Sequence, residues 1–201
     1  MNSAVPVGLQ ARLPYLWLKL RAMALLVFGR HRAALEMFQE MLARWPDDAY
    51  ALASRAHALA QAGRAAQALP DSGRLVALQP QDARAWFNHG FLLEAAGRYE
   101  DALAAFERST TLSPQLDRAW YGQGLVLIRL QRFDEAVLAL KRNTELQPMS
   151  PHGWYQLARV HVDRHEPQEA VKIIRHLKGF EPKVAAQLER ETGLLIGGVS
   201  K

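Results

Sequence analysis

The sequence predicts an all-α chain of antiparallel helix hairpins stacked one on the next, and three observations predict it. Five of the ten prolines, Pro46, Pro80, Pro114, Pro148 and Pro182, stand 34 residues apart. In phase with them run five alanines (Ala34, Ala68, Ala102, Ala136 and Ala170), a second ladder that is always small (Ala22, Ala56, Gly90, Gly124 and Ala158), and Trp86, Trp120 and Trp154. Ladders of several residue types sharing one period and one phase are the mark of a repeat architecture. Within a unit, apolar residues recur at helical spacing twice, from Trp86 to Leu93 and from Tyr99 to Leu112.

Each rung has a physical reason. Between the two helical stretches lies Ala96-Gly97-Arg98, where Gly97 can take the left-handed conformation that ends a helix. Gly90 and Ala102 are short because two antiparallel helices approach closely only where side chains are small, and Trp86 and Phe106 then fill the surrounding space. Pro114 stops the second helix, since its ring nitrogen cannot donate the next hydrogen bond. Such a hairpin cannot bury its apolar face alone and must stack on neighbours.

These residues resemble the tetratricopeptide repeat, whose 34-residue unit carries Trp, Leu-Gly, Tyr, Ala, Phe and Pro markers. The resemblance divides the chain into an N-terminal arm over 1–14, five units (15–48, 49–82, 83–116, 117–150 and 151–184), and a capping helix with a flexible tail over 185–201. It implies a right-handed α-solenoid. Several positions depart from the pattern. Leu18 and Leu52 stand in the Trp slot, and Gln131 and His165 stand where the turn glycine usually sits. Unit 2 has Pro70 and Gly73 inside its second helix, which predicts a kinked or shortened helix there, with a functional hinge as the alternative. After Pro182, Lys183 to Thr192 reads as a short helix with Leu188 facing back and a polar outer face, as the end of an array requires.

Composition narrows the chemistry. The chain has 201 residues, is 49% hydrophobic and 22% charged, and contains no cysteine. Disulfides, thiolate zinc sites, iron–sulfur clusters and a cysteine nucleophile are thereby excluded. The lack of cysteine fits a reducing compartment, and the expectation is a cytoplasmic protein. Leu13 to Phe28 is strongly apolar, yet Lys19 and Arg21 interrupt it, so it reads as neither a secretory core nor a transmembrane segment. Of seven histidines, only His161 and His165 have a ligand-like spacing, and no glutamate follows His161; a structural role is expected for both and no metal. No phosphate loop, Walker sequence or nucleophile elbow occurs. Pairs such as Glu100/Asp101 and Asp134/Glu135 begin helices, where anions complement the macrodipole. The expectation is a protein that is not an enzyme and holds no cofactor.

By the resemblance, the first helix of each unit lines an inner groove. The groove residues it implies are Arg84, Phe87, Asn88 and Phe91 in unit 3, Arg118, Tyr121, Leu125 and Arg129 in unit 4, and Tyr155, Gln156 and Arg159 in unit 5. Phe87, Tyr121 and Tyr155 repeat at the 34-residue period with arginines beside them; they are either packing groups or anchors for a ligand. Aromatic and arginine side chains are enriched at binding hot spots, so the groove suits a protein or peptide with acidic and apolar side chains. The family's clamp for a C-terminal carboxylate is not reproduced, since Lys19 and Asn88 are isolated matches. Unit 1 differs, its first helix being apolar nearly all round, with Leu16, Leu20, Met23 and Val27 in inner slots. A helix without a polar face is usually covered; residues 1–12 folding back, a second copy forming a homodimer, or a partner or membrane surface are the alternatives. The leading expectation is therefore a protein-interaction adaptor. A homo-oligomeric assembly component or a secretion-type chaperone is the alternative. The formal charge of +5 includes no continuous basic stripe, which argues against nucleic acid as partner.

Overall fold

A computed structural model describes residues 9–194, with side chains from residue 13. Among these residues the chain forms eleven helices and no strand. In order they are α1 (Leu9–Val27), α2 (His31–Arg44), α3 (Ala49–Gln61), α4 (Ala65–Leu78), α5 (Ala83–Ala95), α6 (Tyr99–Leu112), α7 (Asp117–Arg129), α8 (Phe133–Leu146), α9 (Pro151–Asp163), α10 (Pro167–Lys178) and α11 (Pro182–Thr192). The chain divides after Arg98 into two compact units, the first ending with α5 and the second beginning with α6.

In the first unit, α1 packs on α2, α2 on α3, α3 on α4 and α4 on α5. Its core is the cluster of Tyr15, Leu18, Ala22, Phe38, Met41, Leu52, Leu75 and Val76, with Trp86 packed against it. The structure departs from the sequence reading at α1, which begins at Leu9 rather than after the expected arm over 1–14. Proline disfavours helix in the residue before it, so Pro14 read as a boundary; instead it lies inside the helix. Residues 1–8 lie outside the described part. Helix α4 is not shortened either: with Pro70 inside, it keeps the 14-residue length of α2, α6 and α8. Two side chains hold the stretch after Pro70. The buried Asp71 carboxylate accepts both a 2.6 Å and a 2.5 Å bond from the Arg55 guanidinium on α3. The buried Ser72 hydroxyl lies 2.8 Å from Nδ1 of His89 on α5.

The second unit runs in the same way, α6 on α7, α7 on α8, α8 on α9, α9 on α10, with α11 against both α9 and α10. Its helix pairs are close because glycines permit it. A Cβ added to Gly124 would stand 2.7 Å from Leu140 on α8, and one added to Gly122 would stand 2.6 Å from Phe106 on α6. The tryptophan ladder has a second task beside packing. The indole N–H donates to the carbonyl six residues earlier, Trp86 to Pro80, Trp120 to Pro114 and Trp154 to Pro148, at 2.8–3.0 Å. It thereby ties each helix to the proline turn before it. Pro182 behaves differently from the other rungs, because α10 has already ended at Lys178 and Pro182 occupies the first position of α11, where a missing N–H costs nothing. Leu188 and Ala185 of α11 are fully buried, so that helix seals the α9–α10 hairpin; the tail beyond residue 194 lies outside the described part.

The turns inside hairpins share one backbone shape. Gly29, Gly63, Gly97, Gln131 and His165 all have φ between 58° and 76°. In all five, the residue with positive φ donates three residues back and the next one donates five residues back, closing the helix end.

Candidate functional site

On α7, spacings of three and four residues place Arg118, Tyr121, Leu125 and Arg129 on one face. The two arginines are exposed and Tyr121 and Leu125 half-buried. On α9 the same spacing carries Tyr155, Gln156 and Arg159, and here the structure shows a connected set. The Tyr155 hydroxyl donates a 2.5 Å bond to Glu191 of α11, and Arg159 lies 3.5 Å from that hydroxyl and 5.9 Å from the ring centre. Gln187 donates to the second Glu191 oxygen at 2.8 Å. The Tyr155 hydrogen bond, with Gln187 next and the Arg159 charge after it, holds the Glu191 carboxyl below the usual carboxylate range. These groups therefore already bind a carboxylate, one from the chain itself.

On α5 of the first unit, Arg84, Asn88 and Phe91 are exposed and Phe87 is half-buried. Phe91 and Asn88 border a recess of about 80 Å³ between α3 and α5. Ala53, Ala56, Ala60 and Ala85 form part of its wall, and Leu75 of α4 and His57 also line it. Alanine makes the recess, since any larger side chain at these positions would fill it. At the start of the unit, the Lys19 ammonium sits 4.1 Å from the centre of the Tyr50 ring, tying α1 to α3. The four residues of α1 expected to self-associate, Leu16, Leu20, Met23 and Val27, are all exposed.

The tetratricopeptide-repeat model matches residues 19–83, 55–117, 88–151 and 121–180, most of the chain. The chain belongs to the tetratricopeptide-repeat family. Solved structures of similar fold include MamA from Desulfovibrio magneticus RS-1 (TM-score 0.78, 21% identity, 94% of this chain and 98% of that one). Others are YrrB, described as a TPR protein with an unusual peptide-binding site (0.74, 16%, 84% and 88%), and TTC0263, a thermophilic TPR protein of Thermus thermophilus (0.62, 23%, 90% and 100%). No curated protein matches the chain in sequence. The fold class is an all-α solenoid of helical hairpins.

The tetratricopeptide pattern pointed to Tyr155 and Arg159 but not to their carboxylate. Glu191 belongs to the capping helix, 36 residues on, where no inner-face position was assigned. A signal existed: α11 begins close to one repeat after the start of α9, in the place of a further unit's first helix, and it packs against α9. The recess beside Phe91 was missed because alanine reads as packing, not as a vacancy. Of the two spaced histidines, His161 is buried with Nδ1 2.7 Å from Glu166, and His165 is the left-handed turn residue. Among the described residues no helix is long and apolar enough to cross a membrane.

Proposed function

We propose that this tetratricopeptide-repeat protein is a non-catalytic scaffold whose first-helix faces bind an acidic, apolar-studded segment of another protein. One observation carries this reading: the Tyr155 hydroxyl donates to the Glu191 carboxylate with Arg159 beside that hydroxyl, so the α9 face has the donor and charge for a carboxylate, and an acidic ligand would take the place of Glu191. Arg118 and Arg129 on α7 extend the cationic character, with Tyr121 and Leu125 between them for apolar side chains. On the first unit, the recess beside Phe91 suits one aliphatic side chain, and Asn88 and His57 in its lining can bond peptide backbone. Aromatic and arginine groups together form the usual hot-spot chemistry.

An array of acidic, neutral and basic peptides tests the proposal. Acidic sequences with interspersed Leu or Phe bind wild type, and Tyr121→Ala combined with Arg118→Glu abolishes that binding while helicity and melting temperature stay nearly unchanged. Equal capture of acidic and basic peptides, or loss of folding in the double variant, refutes it.

A further inference from the structure

The first 35 residues hold five cations, Arg12, Lys19, Arg21, Arg30 and Arg32, and no Asp or Glu; the first acidic residue is Glu36. The rest of the chain balances, twenty Lys and Arg against twenty Asp and Glu, so the whole formal charge of +5 sits on this segment.

The same segment carries the most exposed apolar face of the described residues. Leu13, Leu16, Trp17, Leu20, Met23 and Val27 are 46–82% exposed. At ~100° per residue they fall within an arc of about 120° along α1. The opposite arc, with Tyr15, Leu18 and Ala22, is buried in the core cluster. Helix α1 is thus apolar on two faces, one used by the fold and one left over. At ~100° per residue, Lys19 and Arg21 stand on the two borders of the exposed arc. The Arg21 guanidinium lies 4.9 Å from the Trp17 ring centre. Phe28, 80% exposed, prolongs the apolar stripe past the helix end, and Arg30 follows it.

An apolar stripe of this size on a protein surface marks an interaction site. Charge decides between the occupants. A second copy pairing α1 on α1 about a two-fold axis would set cations beside cations, with no anion in either segment to pair with them. Residues 1–8 offer only Val5 and Val7 as branched apolar side chains and carry no acidic residue. An anionic bilayer surface meets both requirements at once. The apolar arc enters the boundary between headgroups and acyl chains, the indole of Trp17 sits at that level, and the long basic side chains reach out to phosphates.

We propose that α1 lies in the plane of an anionic lipid surface and docks the chain there, leaving the other repeats free to hold a partner. The inference does not depend on the groove reading. Co-sedimentation of the full chain with vesicles tests it, comparing phosphatidylcholine alone with equal parts phosphatidylcholine and phosphatidylglycerol. The chain sediments with the anionic vesicles and not the neutral ones, and sodium chloride releases it. Arg21→Gln and Arg30→Gln each weaken the binding roughly five-fold. Trp17→Ser with Leu20→Ser abolishes it without changing the circular dichroism or melting temperature, both positions being exposed. Should that double variant fail to fold, the two arginine variants and the salt dependence still carry the test. Four results overturn the proposal: no sedimentation with anionic vesicles; sedimentation unaffected by the α1 substitutions; a dimer in light scattering that Leu20→Ser dissociates, without vesicle binding; or vesicle binding that appears only after residues 1–8 are removed, which would make that segment the cover.

Discussion

Replacing Gln131 and His165 by glycine should stabilise the chain. Both side chains are exposed, and both residues hold φ near +58°, the conformation that Gly29, Gly63 and Gly97 adopt at the equivalent turns. At those three glycines a Cβ would meet nothing within 4 Å, so the turn asks for glycine through its backbone alone and not through lack of room. A residue with a Cβ costs roughly 1–2 kcal/mol in this conformation. Glycine returns about 0.4–1 kcal/mol of that through the greater freedom of the unfolded chain. The net gain is therefore about 0.5–1 kcal/mol per site, and sites a full repeat apart add. For a chain of this length, the double variant gains roughly 2–8 °C in melting temperature. Thermal and urea unfolding of wild type, each single variant and the double variant measure it. Gly97→Gln supplies the reverse experiment and should lose about as much as one site gains. If the double variant is no more stable than wild type while Gly97→Gln is also neutral, the backbone argument is wrong.

Gly124→Ala should destabilise by about 1–3 kcal/mol, because its Cβ would stand 2.7 Å from Leu140 in the α7–α8 contact; urea unfolding reads this. Asp71→Asn should cost on the order of 2 kcal/mol, since it weakens a bidentate pair with one buried partner, Asp71, and one partly exposed partner, Arg55. Burial, reinforced by the Asp48 carboxylate 3.1 Å away, pushes the Tyr15 phenol up to about 12. The folded state keeps a proton that the unfolded chain loses near pH 10, so the Tyr15 contribution is whole below pH 10 and is lost as pH rises toward 12. Tyr15→Phe should flatten that fall, and the absorbance change at alkaline pH should lose its latest-titrating phenol.

The fold was legible because its determinants repeat. Ala34, Ala68, Ala102, Ala136 and Ala170 are all fully buried, and a position that must be small in five equivalent places announces itself in one sequence. The start of α1 was not legible, since Pro14 looks like a boundary and nothing local says that the helix continues back to Leu9. Nor was the full length of α4, which runs through Pro70 while Asp71 reaches Arg55 and Ser72 reaches His89, partners 16 and 17 residues away. Contacts of that kind are made by side chains that occur once. The inner-face residues could be named from the repeat, yet what they touch could not. Tyr155 looked like one rung of an aromatic ladder, while its hydroxyl is in fact bonded to α11.

That division between repeated and single residues bears on how such a chain can acquire a ligand. In a stacked array, stability is nearly a sum of unit and nearest-neighbour terms, so the positions that form each interface are held alike from unit to unit. Inner-face positions enter few of those terms. Phe91 on α5, Leu125 on α7 and Arg159 on α9 occupy one repeat position and differ, and Phe91 stands exposed beside a recess partly lined by alanines. Each unit can therefore change what it offers a ligand without altering the contact that holds its neighbour. The periodic residues account for the fold, and a search for recognition belongs among the residues that break the period: Arg129, Arg159, Glu191 and the unbalanced cations of α1.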